Sequence, residues 1–360
     1  MKHSTYLLIA FLSSDLFGNC DLTIWKKILR QTQNNTQLGD AKMRKTLIAL
    51  ATVSFSMPAV AEEWTMSAHA PDGNYHTQNA VTFAEDVARL SDGELTINVV
   101  PNSALLKRPE LKRGVQKGVV PIGEVLISAL GNEDAAYSAD AVPLLATTFE
   151  DAQKLWNASK PIYDKKLSDD GLVSLYAVPW PPQGIYMKSD VNSASDFEGV
   201  KFRAYNASTA RLAELLGAVP ATISSSEISQ AFSTGVISGM ITSPTTGVDS
   251  QAWDFVSNYY DVKAFIPKNF VIVNKRALDQ LSDKSRAALF EAAALAETRG
   301  WDMAMRATTD ATETLASNGM SVIATPEALI NDFSKIGATM LGEWKDNAGA
   351  DADAITAAMQ

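Results

Sequence analysis

Cysteine is almost missing from this sequence: Cys20 is the only one in 360 residues, and histidine occurs three times. A chain with one cysteine closes no internal disulfide and builds no cysteine-based metal site, so its fold must rest on its core. Basic charge is also short, with 31 lysines and arginines against 41 acidic residues and a net charge of −10. That balance offers no electrostatic footprint for nucleic acid or for an anionic membrane surface. Catalytic signatures are missing as well. There is no G-x-S-x-G elbow, no Walker loop and no G-x-G-x-x-G fingerprint, and His69 and His76 lack the spacing of a metal site. No enzyme activity, no cofactor and no metal are expected, although spacing alone does not rule out a carboxylate pair that meets in the fold.

One apolar stretch is built for export. Met43-Arg44-Lys45 opens it, residues 46–57 form a short apolar run, and Ala59-Val60-Ala61 closes it. A basic start, an apolar run and an A-x-A ending are the three parts of a secretory signal peptide, and the run is too short to span a bilayer as a helix. The expectation is a signal peptide at 43–61, cleavage after Ala61, a periplasmic location, and a mature chain that spans no membrane. Cleavage would remove Cys20 together with seven basic and three acidic residues, leaving a chain more acidic still. Residues 1–42 are expected to be a disordered upstream extension, with Met43 as the true start. The rival start at Met1 uses 6–12 as its apolar run. It lacks a good cleavage site, and Gly18-Asn19 before Cys20 suits lipid attachment poorly.

What remains is ample. With 46% hydrophobic and 20% charged residues, the chain has material for two compact domains. From Trp64 onward, short apolar runs alternate with stretches of helical period, the pattern of an α/β protein. Residues 64–68 read as a strand. Phe83, Val87 and Leu90 then share one helix face, Ser91-Asp92-Gly93 ends that helix, and 95–100 alternates as a second strand. A helix is expected near 150–158 and a strand at 172–178. Three prolines in 179–182 break any regular element and mark a crossover between domains. A second α/β unit follows, with strands at 200–204, 239–242 and 270–274, and the chain is expected to cross back near Asn274. The proline-free block 283–318 begins after Ser282 as an N-cap and stops at Gly319, a helix long enough to brace both domains, with Gly300 as its weakest point. The expected division is 62–181 plus 275–315 for the first domain and 182–274 plus 316–360 for the second.

The stretch Asp196-Phe197-Glu198-Gly199-Val200-Lys201-Phe202-Arg203 is followed by Gly217-Ala218-Val219-Pro220, Ser226-Glu227 and the run 231–239 ending in Gly239. Together with Ser91-Asp92-Gly93, Pro101-Asn102-Ser103-Ala104-Leu105, the run 118–123 and Pro143-Leu144-Leu145, it resembles the signature of TRAP-type substrate-binding proteins of the C4-dicarboxylate-binding family. The resemblance covers 64–281. It implies a two-domain periplasmic binding protein of the type II-like architecture, with hinge crossovers and a long helix spanning both domains. It further implies capture of an organic acid in an interdomain cleft and delivery to the subunits of an ion-gradient-driven TRAP permease. A second reading is a periplasmic ligand-sensing protein serving a membrane receptor kinase.

By the same resemblance, Arg203 is the carboxylate clamp, a role in which a planar guanidinium makes two parallel charge-assisted hydrogen bonds that lysine does not reproduce. The competing reading is a surface arginine paired with Asp196 or Glu198. Where many members carry a second polar clamp, this chain has Gln183, with Trp180 and Tyr186 nearby. Where many have glycine followed by Gln-Glu-Asn, it has Gly239-Met240-Ile241-Thr242-Ser243. Those departures turn the expectation from a dicarboxylate toward a monocarboxylate with an apolar or aromatic body. Trp180 is an aromatic wall for such a ligand or a residue packed into the hinge. Glu124 and Asn269 are candidate hydrogen-bonding partners in the cleft, Glu124 also reading as a satisfied structural carboxylate. Asn74 and His76 lie on a loop that faces the ligand in this family, both also reading as plain exposed-loop residues, and Ser226-Glu227 reads as a helix cap.

Overall fold

The computed structural model describes residues 61–359. The expected upstream extension, the choice of start and all but the last residue of the expected signal peptide lie outside the described residues. In chain order the elements begin β1 (Glu62–Ser67), α1 (Tyr75–Leu90), β2 (Leu95–Val100), α2 (Leu111–Gln116), β3 (Ile122–Leu126), α3 (Phe149–Asp169) and β4 (Leu172–Pro179). Next come β5 (Gly184–Met187), β6 (Lys201–Ala204), α4 (Ala207–Leu215), β7 (Val219–Thr222), α5 (Ile228–Ser233), β8 (Gly239–Thr242), α6 (Pro244–Asp249) and β9 (Asn258–Tyr260). The chain closes with β10 (Lys268–Asn274), α7 (Lys275–Gln280), α8 (Asp283–Ser317), β11 (Ser321–Ile323), α9 (Glu327–Ala348) and α10 (Ala350–Ala358).

Local chemistry sets these boundaries. Asn74 caps α1 by accepting the His76 N–H, and the helix buries Phe83 and Val87. Asp92 and Gly93 then take positive φ, 51° and 78°, to turn the chain into β2. Ser282 caps α8 through the Ser285 N–H, and the helix runs unbroken for 35 residues. Gly300 is therefore no break. It is a contact point, since a Cβ there would lie 2.5 Å from Val178 Cγ2 and 2.8 Å from Asn79 Nδ2. Helix α3 also outruns its expected end, continuing through Pro161 to Asp169.

The strands form two sheets, β2-β1-β3-β10-β4 and β11-β9-β5-β8-β6-β7. Each sheet is buried on both faces, giving a first lobe and a second lobe, each with its own paired apolar layers. Strand β10 was expected in the second unit and instead lies in the first sheet, antiparallel to β3 and β4. The return crossing is therefore 261–267, ahead of Lys268. All seven residues of β10 are buried, so its apolar run carries no alternation to say which sheet it joins.

Two helices brace the lobes. Leu289, Ala292, Ala296 and Ala304 of α8 pack into the first lobe, while Leu315 of the same helix packs into the second. Leu329, Phe333 and Met340 of α9 pack into the second lobe, but Trp344, with Ala352 and Ile355 of α10, packs into the first. The C-terminal segment, expected wholly in the second domain, is thus shared. No helix among the described residues is long and apolar enough to cross a membrane.

Candidate functional site

A cavity of about 260 Å³ lies between the lobes. That is small for a ligand pocket, at the size of a compact organic acid. Arg203 reaches it from the buried end of β6, and its side chain is almost wholly inaccessible at 1% exposure. Its Nε donates to the Ile223 carbonyl at 3.0 Å, its Nη1 has no partner, and its guanidinium stands 5.4 Å from the Tyr205 ring centroid. The surface pairing with Asp196 or Glu198 does not occur: Asp196 instead accepts backbone N–H groups of Asn192 and Ser193.

Arg108 enters the same cavity from the other lobe, on the short turn Arg108–Glu110 after β2. Its guanidinium lies 5.9 Å from the same Tyr205 ring and bonds His69 Nε2, while its Nε is buried without a partner. Burial is the first cause that pulls down the pKa of both arginines, and for Arg203 the nearby Arg108 charge adds to it. Arginine keeps its charge in proteins, so this environment expresses itself as a demand for an anion. Among the described residues, neither guanidinium has a carboxylate in salt-bridge contact.

His69 holds Arg108 in place. Burial first, and then the charges of Arg108 and Arg203, push its pKa well below the usual histidine value. The ring is therefore neutral at pH 7. With Nε2 facing the Arg108 N–H and the Ser225 hydroxyl at 3.1 Å, the proton sits on Nδ1, which faces Ser103 Oγ at 2.9 Å.

Five of the nine residues expected from sequence line the cavity: Arg203, Trp180, Gln183, Thr242 and Ser243. Gln183 spends Nε2 on the Pro181 carbonyl and receives the Tyr205 hydroxyl on Oε1. Trp180 lines the cavity and stacks on His76 at 4.1 Å between ring centres. Ser243 caps α6 and shares its hydroxyl with Thr245 and Thr246.

The other four stand behind the wall. Asn269 accepts the Trp180 indole N–H. Glu124 bonds His76 Nδ1 at 2.8 Å. Burial pushes its carboxyl up, but the His76 charge and the His76 hydrogen bond lead the effects that outweigh it and hold it below the usual range. Tyr186 is fully buried and donates to the Ser243 carbonyl at 3.1 Å. Asn74 crosses the cleft, its Nδ2 donating to Asp249 Oδ2 at 2.8 Å.

Sequence reasoning missed Arg108, Tyr205 and Asp249. Asp249 ends α6 at the cavity mouth and is the one carboxylate among its lining residues. Asp249 keeps access to solvent, and the partial loss of its hydration against the cavity wall raises its pKa, to about 6, opposed by the Asn74 hydrogen bond and the His76 charge. No cluster of three metal-ligating side chains occurs among the described residues.

Residues 66–346 match the family model described as bacterial extracellular solute-binding protein, family 7. The chain is 54% identical to DctP7, a Bordetella pertussis extracytoplasmic solute receptor binding pyroglutamic acid. That structure superposes with a TM-score of 0.82, over 83% of this chain and 99% of the other. A TRAP solute-binding protein specific for pyroglutamate, from a marine metagenome, is 39% identical with a TM-score of 0.81, over 83% and 98%. The C4-dicarboxylate-binding periplasmic protein DctP of Rhodobacter capsulatus is 26% identical over 307 residues, 82% of this chain and 87% of that one.

Proposed function

The chain belongs to family 7 of the bacterial extracellular solute-binding proteins, TRAP receptors and not enzymes, and from that premise we propose that its cavity captures pyroglutamate, a compact cyclic monocarboxylate. The observation that carries this reading is the pair of buried guanidiniums, Arg203 and Arg108, brought from opposite lobes onto one Tyr205 ring with unspent N–H groups.

The charge balance of the cavity supports a monoanion. Two guanidiniums and the Asp249 carboxylate leave a surplus of one positive charge, because His69 is neutral. A dicarboxylate would bring one charge more than the lining balances, and a buried unbalanced charge is costly. The ligands named for the 54% and 39% identical receptors agree with that balance and with the small volume.

The two-lobed fold supports the role we propose. A ligand gripped from both lobes favours the closed arrangement, and a TRAP permease in the membrane then receives the cargo from the closed receptor. The periplasm is the compartment for this task, consistent with the periplasmic relative and with the Met43 to Ala61 export pattern. Thermal unfolding of the purified mature protein with pyroglutamate tests the ligand. At a hundredfold excess over Kd the native state gains about 2.7 kcal/mol, which raises Tm. An unmoved Tm with pyroglutamate and with other small monocarboxylates would refute the reading.

A further inference from the structure

We propose that Asp249 is the specificity-determining residue of the cavity, accepting the ring N–H of the ligand on its Oδ1 and so selecting a lactam over an isosteric lactone. The inference rests on the pyroglutamate reading and deepens it.

Asn74 fixes one side of this arrangement. Its Oδ1 is committed to capping α1 through the His76 N–H at 2.9 Å, so its amide group cannot turn over without uncapping the helix. The Nδ2 is thereby aimed across the cleft at Asp249 Oδ2, 2.8 Å away. One oxygen of Asp249 is thus spent on the opposite lobe. The other, Oδ1, accepts no hydrogen bond among the described residues and belongs to a side chain that lines the cavity.

Asp249 is the one ionised acceptor in the lining, so a ligand N–H prefers it to the neutral hydroxyls and amides around it. Ser243 shares its hydroxyl with Thr246 and with Thr245 behind it, and Ser250 Oγ donates to the Thr246 carbonyl. Gln183 Oε1 already receives the Tyr205 hydroxyl. The two arginines and the Asp249 carboxylate therefore complement the three polar functions of a lactam acid. The guanidiniums offer donors to its carboxylate and its ring carbonyl, and Asp249 offers an acceptor to its N–H. A lactone acid keeps the first two functions and places a ring oxygen lone pair where the N–H stood, facing a carboxylate.

Isothermal titration of the wild-type protein and of Asp249→Asn with pyroglutamate and with its γ-lactone analogue tests the assignment. Wild type is expected to prefer the lactam by roughly ten- to a hundredfold, the range for a hydrogen bond to a charged group. In Asp249→Asn the side-chain oxygen stays on Asn74 and the amide N–H₂ turns to the ligand. The lactam preference is then expected to fall by tenfold or more, with lactone affinity retained or raised. Equal wild-type affinity for the two ligands would overturn the assignment, and that comparison needs no variant to fold. An unchanged lactam-to-lactone ratio in the variant would overturn it too. Wild type that binds neither ligand would bring down the pyroglutamate reading itself.

Discussion

At the scale of single residues, the cavity is defined by charges that lack partners. Arg203 spends one donor on the Ile223 carbonyl and keeps Nη1 buried and without a partner. Arg203→Lys keeps the charge and loses the planar fork, so pyroglutamate affinity is expected to drop at least about tenfold, and Arg203→Ala to abolish measurable binding. Calorimetry on folded variants checks both. Asp249 gives a pH dependence of defined sign. Partial loss of hydration raises the pKa of this solvent-accessible carboxyl to about 6, against the Asn74 hydrogen bond and the His76 charge, and His76 and Tyr75 are the titratable groups that sense it from the first lobe. A ligand N–H binds the ionised carboxylate best, so affinity is expected to be full above pH 7 and to fall as pH drops through about 6. The loss between pH 7.5 and pH 5 is up to about tenfold, and it should vanish in Asp249→Asn.

Arg203 was readable because it ends a long motif, and Thr242, Ser243, Gln183 and Trp180 were readable by their places along the same run. Arg108 was not. An arginine before a proline in a polar loop looks like any solvated surface charge until the fold carries it over Tyr205. Asp249 was hidden for the same reason, since only the third dimension puts it opposite Asn74. Four expected residues were displaced by one layer, because a sequence tells which loops face a cleft but not which side chains stop short of it.

At the scale of elements, the helices and strands that alternate were legible and the fully buried ones were only half so. β10 shows the limit: its apolar run announced a strand, but its partners β3 and β4 lie far upstream in sequence, and no local signal encodes them. Gly300 shows another. A glycine within a helix costs up to about 1 kcal/mol relative to alanine, so the sequence suggested weakness. The contact with Val178 and Asn79 reverses the sign. Gly300→Ala is expected to destabilise the protein by about 1–2 kcal/mol despite its helix propensity, since a β-branched neighbour in a packed layer yields little. Urea unfolding measures the change, and a gain in stability would show that α8 is not packed on β4 at that point.

At the scale of the whole molecule, two sheets joined by the crossings at 180–183 and 261–267 are held together by α8 and α9 on the outside and by side-chain contacts across the cleft. Asn206 Nδ2 donates to Ser128 Oγ at 3.0 Å, and His69 meets Ser225, in addition to the Asn74–Asp249 bond. Contacts made only with the lobes together add to ligand affinity without touching the ligand. Ser128→Ala is therefore expected to weaken pyroglutamate binding about two- to tenfold, mainly through faster release, as one neutral hydrogen bond is lost. Stopped-flow tryptophan fluorescence resolves the rate.

The central claim is that the cavity's surplus of one positive charge takes a small monoanion. Titration calorimetry of the purified protein with pyroglutamate and, separately, with a four-carbon dicarboxylate such as succinate tests it most directly. The charge balance predicts one pyroglutamate bound per chain and no measurable heat of binding with the dicarboxylate. Tighter binding of the dicarboxylate would contradict it.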